Sequence, residues 1–332
     1  MSAISRPDRS WRSPRSLLWL ALGIAISAIG AGLIVRAIDP DRLALAFAAI
    51  DWSWISVAVA VTVATYFARM QRWIILLRPL NFHRALVMRA LLTGQLLNHL
   101  VPIRIGDVLR SILLGREPGG NFARVFGSVL IEKAWDWLAL CVLVMIVAWA
   151  VPLPEWFLTP VRSIGLIAAV VLISFVGVAV IPEYWIPRGL ARLDQALTGL
   201  PARWRMLVLN NLQRLLDSLT ALRQRNIIVG AAGWTAITWG LGIVINYAVE
   251  RAFGVDSWIA AMTLLAVLMV GVALPPSIAA VGVFEGLSML TLSAFGLPLE
   301  TALAIGLILH FVVVVPLIVC TALAWLYASR TH

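Results

Sequence analysis

The chain has 332 residues, of which 61% are apolar and only 13% are charged, a composition far from that of soluble globular domains. Two cysteines, Cys141 and Cys320, lie in apolar segments and exclude a disulfide framework. The four histidines lack metal-ligand spacing, and no nucleotide-binding glycine motif occurs. The composition therefore indicates an integral membrane protein, and we expect neither a metal nor a cofactor.

Six apolar stretches are long enough to span a bilayer, which takes about 20 residues per helix. Four less regular apolar stretches lie among them. Continuous runs of this kind predict helices, because the strands of a membrane barrel alternate in polarity. The long stretches are 17-35, 52-68, 125-151, 163-181, 227-249 and 302-327, and the others are 86-101, 103-115, 258-275 and 278-297.

The basic residues predict the topology. All 26 of them except Lys133 are arginines, and they concentrate in 1-16, 69-89, 104-124, 188-225 and the C-terminal end. The alternate loops contain only Arg36, Arg42, Arg162 and Arg251. Because arginine-rich loops stay in the cytoplasm, we expect both termini to be cytoplasmic in a bacterial or archaeal cytoplasmic membrane. This asymmetry accounts for the net charge of +10 without a nucleic-acid partner.

The N-terminal region is predicted to be a basic cytoplasmic segment, 1-16, followed by a retained first helix. Its apolar run is longer than a typical signal-peptide core. The first membrane half then covers 17-182 and contains a predicted re-entrant hairpin, 86-115. Each arm of that hairpin is too short to cross, and Pro102 and Gly106 break the helix near its tip.

Charged residues follow the tip of the first hairpin. Arg104, Asp107 and Arg110 are spaced three and three, so on a helix they share one face and can pair. One interpretation is a salt-bridged stripe that ties the hairpin together. The other is that both arginines bind an anionic lipid headgroup, since a guanidinium matches phosphate at two points. Gln95 and Asn98 on the first arm would add uncharged donors.

A second charged group, Glu132, Lys133 and Asp136, lies in the next apolar stretch. Two alternatives are open for it. The group is either the cytoplasmic end of a helix, with side chains reaching water, or a set of counter-ions and proton carriers for the hairpin.

The segment 183-226 is the only long polar stretch between the two membrane halves. Leucines recur along it at helical spacing opposite a polar face. Two placements are equally compatible with this pattern. The segment is an interfacial helix on the inner leaflet, or it is a cytoplasmic helical hairpin that packs on the bundle.

The second membrane half, 227-328, repeats the pattern of a broken apolar stretch. Pro275 and Pro276 interrupt 258-297, and Gly282 follows them. We predict a second re-entrant hairpin that enters from the outer face. Paired broken segments in two halves suggest an inverted repeat, with a site between them near the midplane.

Two polar residues of the second half are isolated in apolar sequence. His310 is the simpler one, because a single histidine on an apolar helix is usually a packing residue. Glu285 needs a partner or a proton if it is buried. We expect it to line the translocation path opposite the first hairpin, with His310 as a further candidate.

An alternative function comes from the first outer loop, where Asp39 and Asp41 form an acidic pair. Membrane glycosyltransferases that use lipid-linked sugars often have such a pair. The outer loops here are short, which disfavours an enzyme that must hold an acceptor.

These motifs resemble those of the lysylphosphatidylglycerol synthase transmembrane-region family, a flippase-like membrane domain. The resemblance is carried by Arg72-Trp73, by Asn98 to Arg110, by Glu132-Lys133 with Asp136, and by Pro276-Ser277 with Gly282 and Glu285. The family usually has glutamate where Asp107 stands, a glycine pair where Ala279-Ala280 stand, and an arginine near His310. The resemblance implies a polytopic protein that moves or accommodates a phospholipid or a polyprenyl-phosphate carrier.

The sequence thus predicts an all-α polytopic membrane bundle with about six full spans and two re-entrant hairpins. We expect a transporter of anionic lipids and no enzymatic activity. An accessory subunit that assists enzymes of envelope-lipid biosynthesis is a further alternative.

Overall fold

The computed structural model describes residues 38–78, 80–101, 105–151, 185–199, 201–220, 224–271 and 282–329, with the single residues 32 and 170. Within this part of the chain all regular structure is helical. The helices are α1 (Pro40–Ala48), α2 (Trp52–Leu76), α3 (Arg84–Leu100), α4 (Gly106–Gly115), α5 (Phe122–Ala150), α6 (Trp185–Ala196), α7 (Ala202–Thr220), α8 (Arg225–Ala252), α9 (Trp258–Gly271), α10 (Val283–Ser293) and α11 (Leu299–Ser329).

Three of the described helices, α2, α8 and α11, are long and apolar enough to cross a membrane. The predicted spans at 17-35 and 163-181 lie almost entirely outside the described residues, as does the segment 1-16. Helix α5 is 29 residues long and contains the charged group Glu132, Lys133 and Asp136. The helical architecture is consistent with a polytopic membrane bundle.

Helix α2 ends later than the sequence predicts, because it extends through Leu76 and not only to residue 68. Arg69 and Arg72 therefore belong to the helix, where the charge pattern placed them in a cytoplasmic loop. Arginine is a good helix former, and Arg72 finds carboxylate partners inside the bundle. Charge alone was thus a poor marker of the end of this helix.

Local capping explains where several helices start. The carboxylate of Asp51 accepts a hydrogen bond from the backbone N–H of Ser53 at 2.9 Å and caps α2. Asn121 caps α5 in the same way. Asp39 caps α1 through the N–H of Asp41 at 2.9 Å, so one member of the acidic pair in the first loop has a local structural role.

Helices α2 and α8 run antiparallel along their whole length and form the centre of the bundle. The N–H of Asp51 donates to the carbonyl of Ala252 at one end, and Ile75 packs beside Gly230 near the other. A hydrophobic core joins these two helices to α9, α10 and α11. A second core joins α2 to α3, α4 and α5. The central helix pair therefore connects two half-cores.

Two pairs of short helices pack together at the positions of the two predicted hairpins. Helix α3 packs on α4, and α9 packs on α10. A Cβ added to Gly94 would lie 2.8 Å from the carbonyl oxygen of Gly106, so the first hairpin depends on two glycines. A Cβ on Gly271 would likewise overlap Leu287 in the second hairpin. The proline-containing turns, with Pro102, Pro275 and Pro276, lie outside the described residues.

The polar segment between the halves forms α6 and α7, which pack on each other. Helix α7 also packs against α5. Its exposed surface includes Met206, Leu207 and Val208. The segment is thus in contact with the same helix that contains Glu132 and Asp136.

Candidate functional site

Six charged side chains from α2, α4 and α5 form one connected cluster of salt bridges, which we call the ion network. Helix α2 contributes one arginine, α4 contributes an acid and an arginine, and α5 contributes two acids and the lysine. Its members are Arg72, Asp107, Arg110, Glu132, Lys133 and Asp136.

Arg72 is the most deeply buried member, with 0% exposure. Its Nη1 lies 2.6 Å from Oδ1 of Asp136, and its Nη2 lies 3.0 Å from Oε1 of Glu132. Nη1 also donates to the hydroxyl of Thr235 on α8 at 3.3 Å. Arg72 therefore joins α2 to both α5 and α8 through its guanidinium group.

Glu132 is the bridge of the network. While Oε1 binds Arg72, Oε2 lies 2.9 Å from Nη1 of Arg110. Glu132 is only 2% exposed, so both of its oxygens depend on these arginines rather than on water. Glu132 is accordingly a counter-ion shared by the hairpin and the central helix.

The network continues outward from Arg110. Its Nη2 lies 3.0 Å from Oδ1 of Asp107, one turn earlier on α4. Oδ2 of Asp107 lies 3.3 Å from Nζ of Lys133, whose side chain is 38% exposed. Solvent exposure within the ion network thus increases from Arg72, which is fully buried, to Lys133, which is partly exposed.

Aromatic residues pack around the buried arginines. The guanidinium of Arg110 lies 4.7 Å from the ring centroid of Trp73, a cation–π contact that strengthens when water is absent. Trp73 donates through Nε1 to the hydroxyl of Ser128 at 3.0 Å. Trp239 on α8 donates to Oδ1 of Asp136 at 3.4 Å. These contacts fix the positions of the charges.

The ion network is electrically balanced, because the positive charges of two arginines and one lysine equal in number the negative charges of three carboxylates. Buried charges are tolerated when they are paired and hydrogen-bonded. A neutral network of this kind can exist inside an apolar bundle. Such networks in membrane proteins are expensive to build and usually mark a functional pathway.

A second polar site joins the second hairpin to α11. Oε1 of Glu285 lies 2.7 Å from Nδ1 of His310. Oε2 accepts a hydrogen bond from the N–H of Gly282 at 2.6 Å and caps α10. Gly282 has φ 84°, which glycine adopts without strain. Both oxygens of Glu285 therefore have partners.

Glu250 near the end of α8 differs from both sites. It is 0% exposed, and neither carboxylate oxygen has a hydrogen-bond partner within the described part of the chain. Fifteen positions separate it from Thr235 along α8, about 22 Å at the helical rise. It is thus a separate buried carboxylate that does not belong to the ion network.

The residues of the first hairpin that the sequence predicts to bind a lipid headgroup differ from one another in burial and in hydrogen-bond partners. Arg104 lies outside the described residues, whereas Arg110 is 2% exposed and has both terminal nitrogens occupied. Asn98 accepts a hydrogen bond from the N–H of Gly106 at 2.8 Å, which ties the end of α3 to the start of α4. Gln95 is half-buried on α3. The structure therefore brings Asp107 and Arg110 together with Glu132 and Lys133.

Sequence reasoning missed the partners contributed by α2 and α8. Arg72 was noticed only as part of a motif, and Thr235 and Trp239 were not singled out. The available signal was Arg72 itself, four residues before the end of a long apolar helix. Applying the rule for charges in apolar segments there would have predicted a counter-ion. Within the described residues, no group of His, Cys, Asp and Glu is arranged to hold a metal ion.

Fold and site together define a multi-pass helical membrane protein with a buried ion network. The family model for the lysylphosphatidylglycerol synthase TM region matches residues 20–320. The chain therefore belongs to that family, which connects it with lipid modification. No curated protein and no solved structure gave a match to the chain.

Proposed function

We propose that this protein transports lipids across the membrane and handles an anionic phospholipid or a polyprenyl-phosphate-linked lipid. The single observation that carries the proposal is the ion network inside an apolar bundle, with Glu132 bridging Arg72 and Arg110. A protein that needed only stability could pack this volume with apolar residues. Charges kept there favour a path for a polar headgroup.

The two helical hairpins support the same function. We propose that both are re-entrant, that 86-115 enters from the cytoplasm and 258-297 from the outer face, and that about six helices cross fully. Each hairpin then presents one polar site, the ion network for the first and the Glu285–His310 pair for the second. A headgroup would move between these two sites.

The Glu285–His310 pair offers a direct test. Glu285→Gln preserves the size of the side chain but removes the charge that faces His310 and the proton that a carboxylate could exchange. We expect lipid translocation in reconstituted vesicles to be abolished and expression to be nearly unchanged. Glu300→Gln, at the start of α11, is the matched control. Translocation by Glu285→Gln at the parental rate would reduce the pair to a structural contact.

A transporter and an accessory subunit of an envelope-lipid enzyme differ in one respect. A transporter moves lipid alone in vesicles, whereas an accessory subunit needs its enzyme. Activity of the purified chain without any other protein therefore separates the two.

A further inference from the structure

Arg69 is a cation that the ion network leaves out. It lies three residues before Arg72 on α2, so the two side chains leave neighbouring positions on one face of the helix. Arg69 is half-buried. Unlike Arg72, it makes no hydrogen bond and no salt bridge to any residue in the described part of the chain. Among the residues that the structure describes, no counter-ion therefore neutralises its charge by direct contact.

The charged groups within electrostatic reach of Arg69 do not change this conclusion. They are Asp136, Glu132 and Arg72, together with the phenol of Tyr66. Both carboxylates are already held by arginines at 2.6–3.0 Å. Tyr66 donates its hydroxyl to the carbonyl of Val313 at 3.3 Å. In this structure each acid is thus paired with other arginines and neither is in direct contact with Arg69.

Counting the charges shows that Arg69 is the cation without a counter-ion in the ion network. The six members of the ion network balance, and Arg69 adds one positive charge beside them. A half-buried cation without a counter-ion in contact is costly, because burial removes part of its hydration. An anion bound there would remove that cost.

We propose that Arg69 is the anion-binding residue of this site and takes a phosphate group, which its guanidinium fork contacts at two points. This inference rests on the proposed lipid transport, because it names the chemistry of the headgroup. The phosphate belongs either to a lipid headgroup or to free phosphate. The same fork would bind both.

The other basic residues of the site are less suited to this role. Arg72 and Arg110 have both terminal nitrogens engaged, and their remaining Nε atoms are buried without a partner in the described structure. Lys133 is held by Asp107 and lacks the planar fork. Arg69 alone of these four combines a free fork with accessible surface.

The first experiment measures thermal unfolding of the purified full-length protein in detergent with inorganic phosphate or chloride at equal ionic strength. We expect phosphate to raise the Tm of the parent and of Arg78→Gln, an exposed arginine just beyond α2. Arg69→Gln should lose this response, while its Tm in chloride stays equal to or above that of the parent. An equal phosphate response in Arg69→Gln, or failure of that variant to fold, would overturn the proposal. Arg69→Lys should retain only part of the response.

The second experiment identifies the source of the phosphate and separates this proposal from lipid transport. Binding is measured to vesicles of phosphatidylcholine with and without phosphatidylglycerol. A lipid source predicts preference for phosphatidylglycerol in the parent, reduced about tenfold or more in Arg69→Gln. A phosphate response in solution without lipid preference would keep Arg69 as an anion site and contradict lipid handling. If the parent shows neither response, Arg69 does not bind phosphate.

Discussion

At the scale of single residues, Glu132 is the position on which the site depends most. Its two oxygens hold Arg72 and Arg110, which come from different helices and are themselves almost fully buried. Removing its charge leaves the three cations of the ion network with two carboxylates, so one positive charge beside a dry environment lacks a counter-ion. Burial makes such a loss more costly than the loss of any surface salt bridge.

We therefore predict that Glu132→Gln lowers the free energy of unfolding by about 3–5 kcal/mol. Chemical unfolding in detergent micelles measures the difference. Glu117→Gln, in the turn after α4, is the control and should change stability by no more than about 0.5 kcal/mol. Equal stability of the parent and Glu132→Gln would mean that the two arginines are compensated elsewhere.

At the scale of helices, the first hairpin is built on close contact between two glycines. Gly94 and Gly106 face each other across α3 and α4, where any side chain would meet backbone atoms. This contact brings Asp107 and Arg110 to the level of Glu132 on α5. The geometry of the ion network is thus a consequence of helix packing.

Gly106→Ala should lower stability by about 1–3 kcal/mol, because its Cβ would overlap the carbonyl oxygen of Gly94 and approach Oδ1 of Asn98 at 2.7 Å. Gly240→Ala is the matched control, since a Cβ there meets no heavy atom within 4 Å. An alanine in a helix interior is favoured by about 0.5–1 kcal/mol over glycine, so the control should be neutral or stabilising. A comparison of Tm values tests both. If Gly106→Ala unfolds at or above the parental Tm, the close glycine packing of the hairpin is wrong.

The sequence predicted the helical class and the short apolar helices α3, α4, α9 and α10, because the length of an apolar stretch is a local feature. That the two pairs form re-entrant hairpins stays a prediction. It also predicted that Asp107 would hold Arg110, since the two lie one turn apart on α4. The pairing of Arg72 with Glu132 and Asp136 could not be read in this way, because more than 50 residues separate the partners. Likewise, Glu285 and His310 look isolated in sequence and meet only when α10 packs on α11.

At the scale of the whole molecule, the two ends of the α2–α8 pair indicate how the protein is oriented in the membrane. One end of the pair, at Asp51 and Ala252, has Trp54, Tyr247 and Trp258 packed together. Amphipathic aromatic rings of this kind favour the membrane–water boundary. Arg72 lies about 30 Å further along α2, near the opposite boundary. The arginine bias predicts that this opposite side is cytoplasmic.

The topology can be checked by cysteine labelling in intact cells. With Cys141 and Cys320 replaced by serine, a cysteine at Ser2 should react only after the membrane is permeabilised. A cysteine at Ser257, between α8 and α9, should react from outside. Labelling of the Ser2 position from the periplasmic face in intact cells would reverse the predicted orientation.

The central claim, that this chain moves anionic lipid by itself, is tested most directly in vesicles reconstituted with the purified protein. Fluorescent phosphatidylglycerol is placed in both leaflets, and a membrane-impermeant reductant quenches the outer label. We predict that the protein exposes label from the inner leaflet, so that quenching exceeds that of protein-free vesicles. Quenching limited to the outer leaflet, equal to that of protein-free vesicles, would contradict the account.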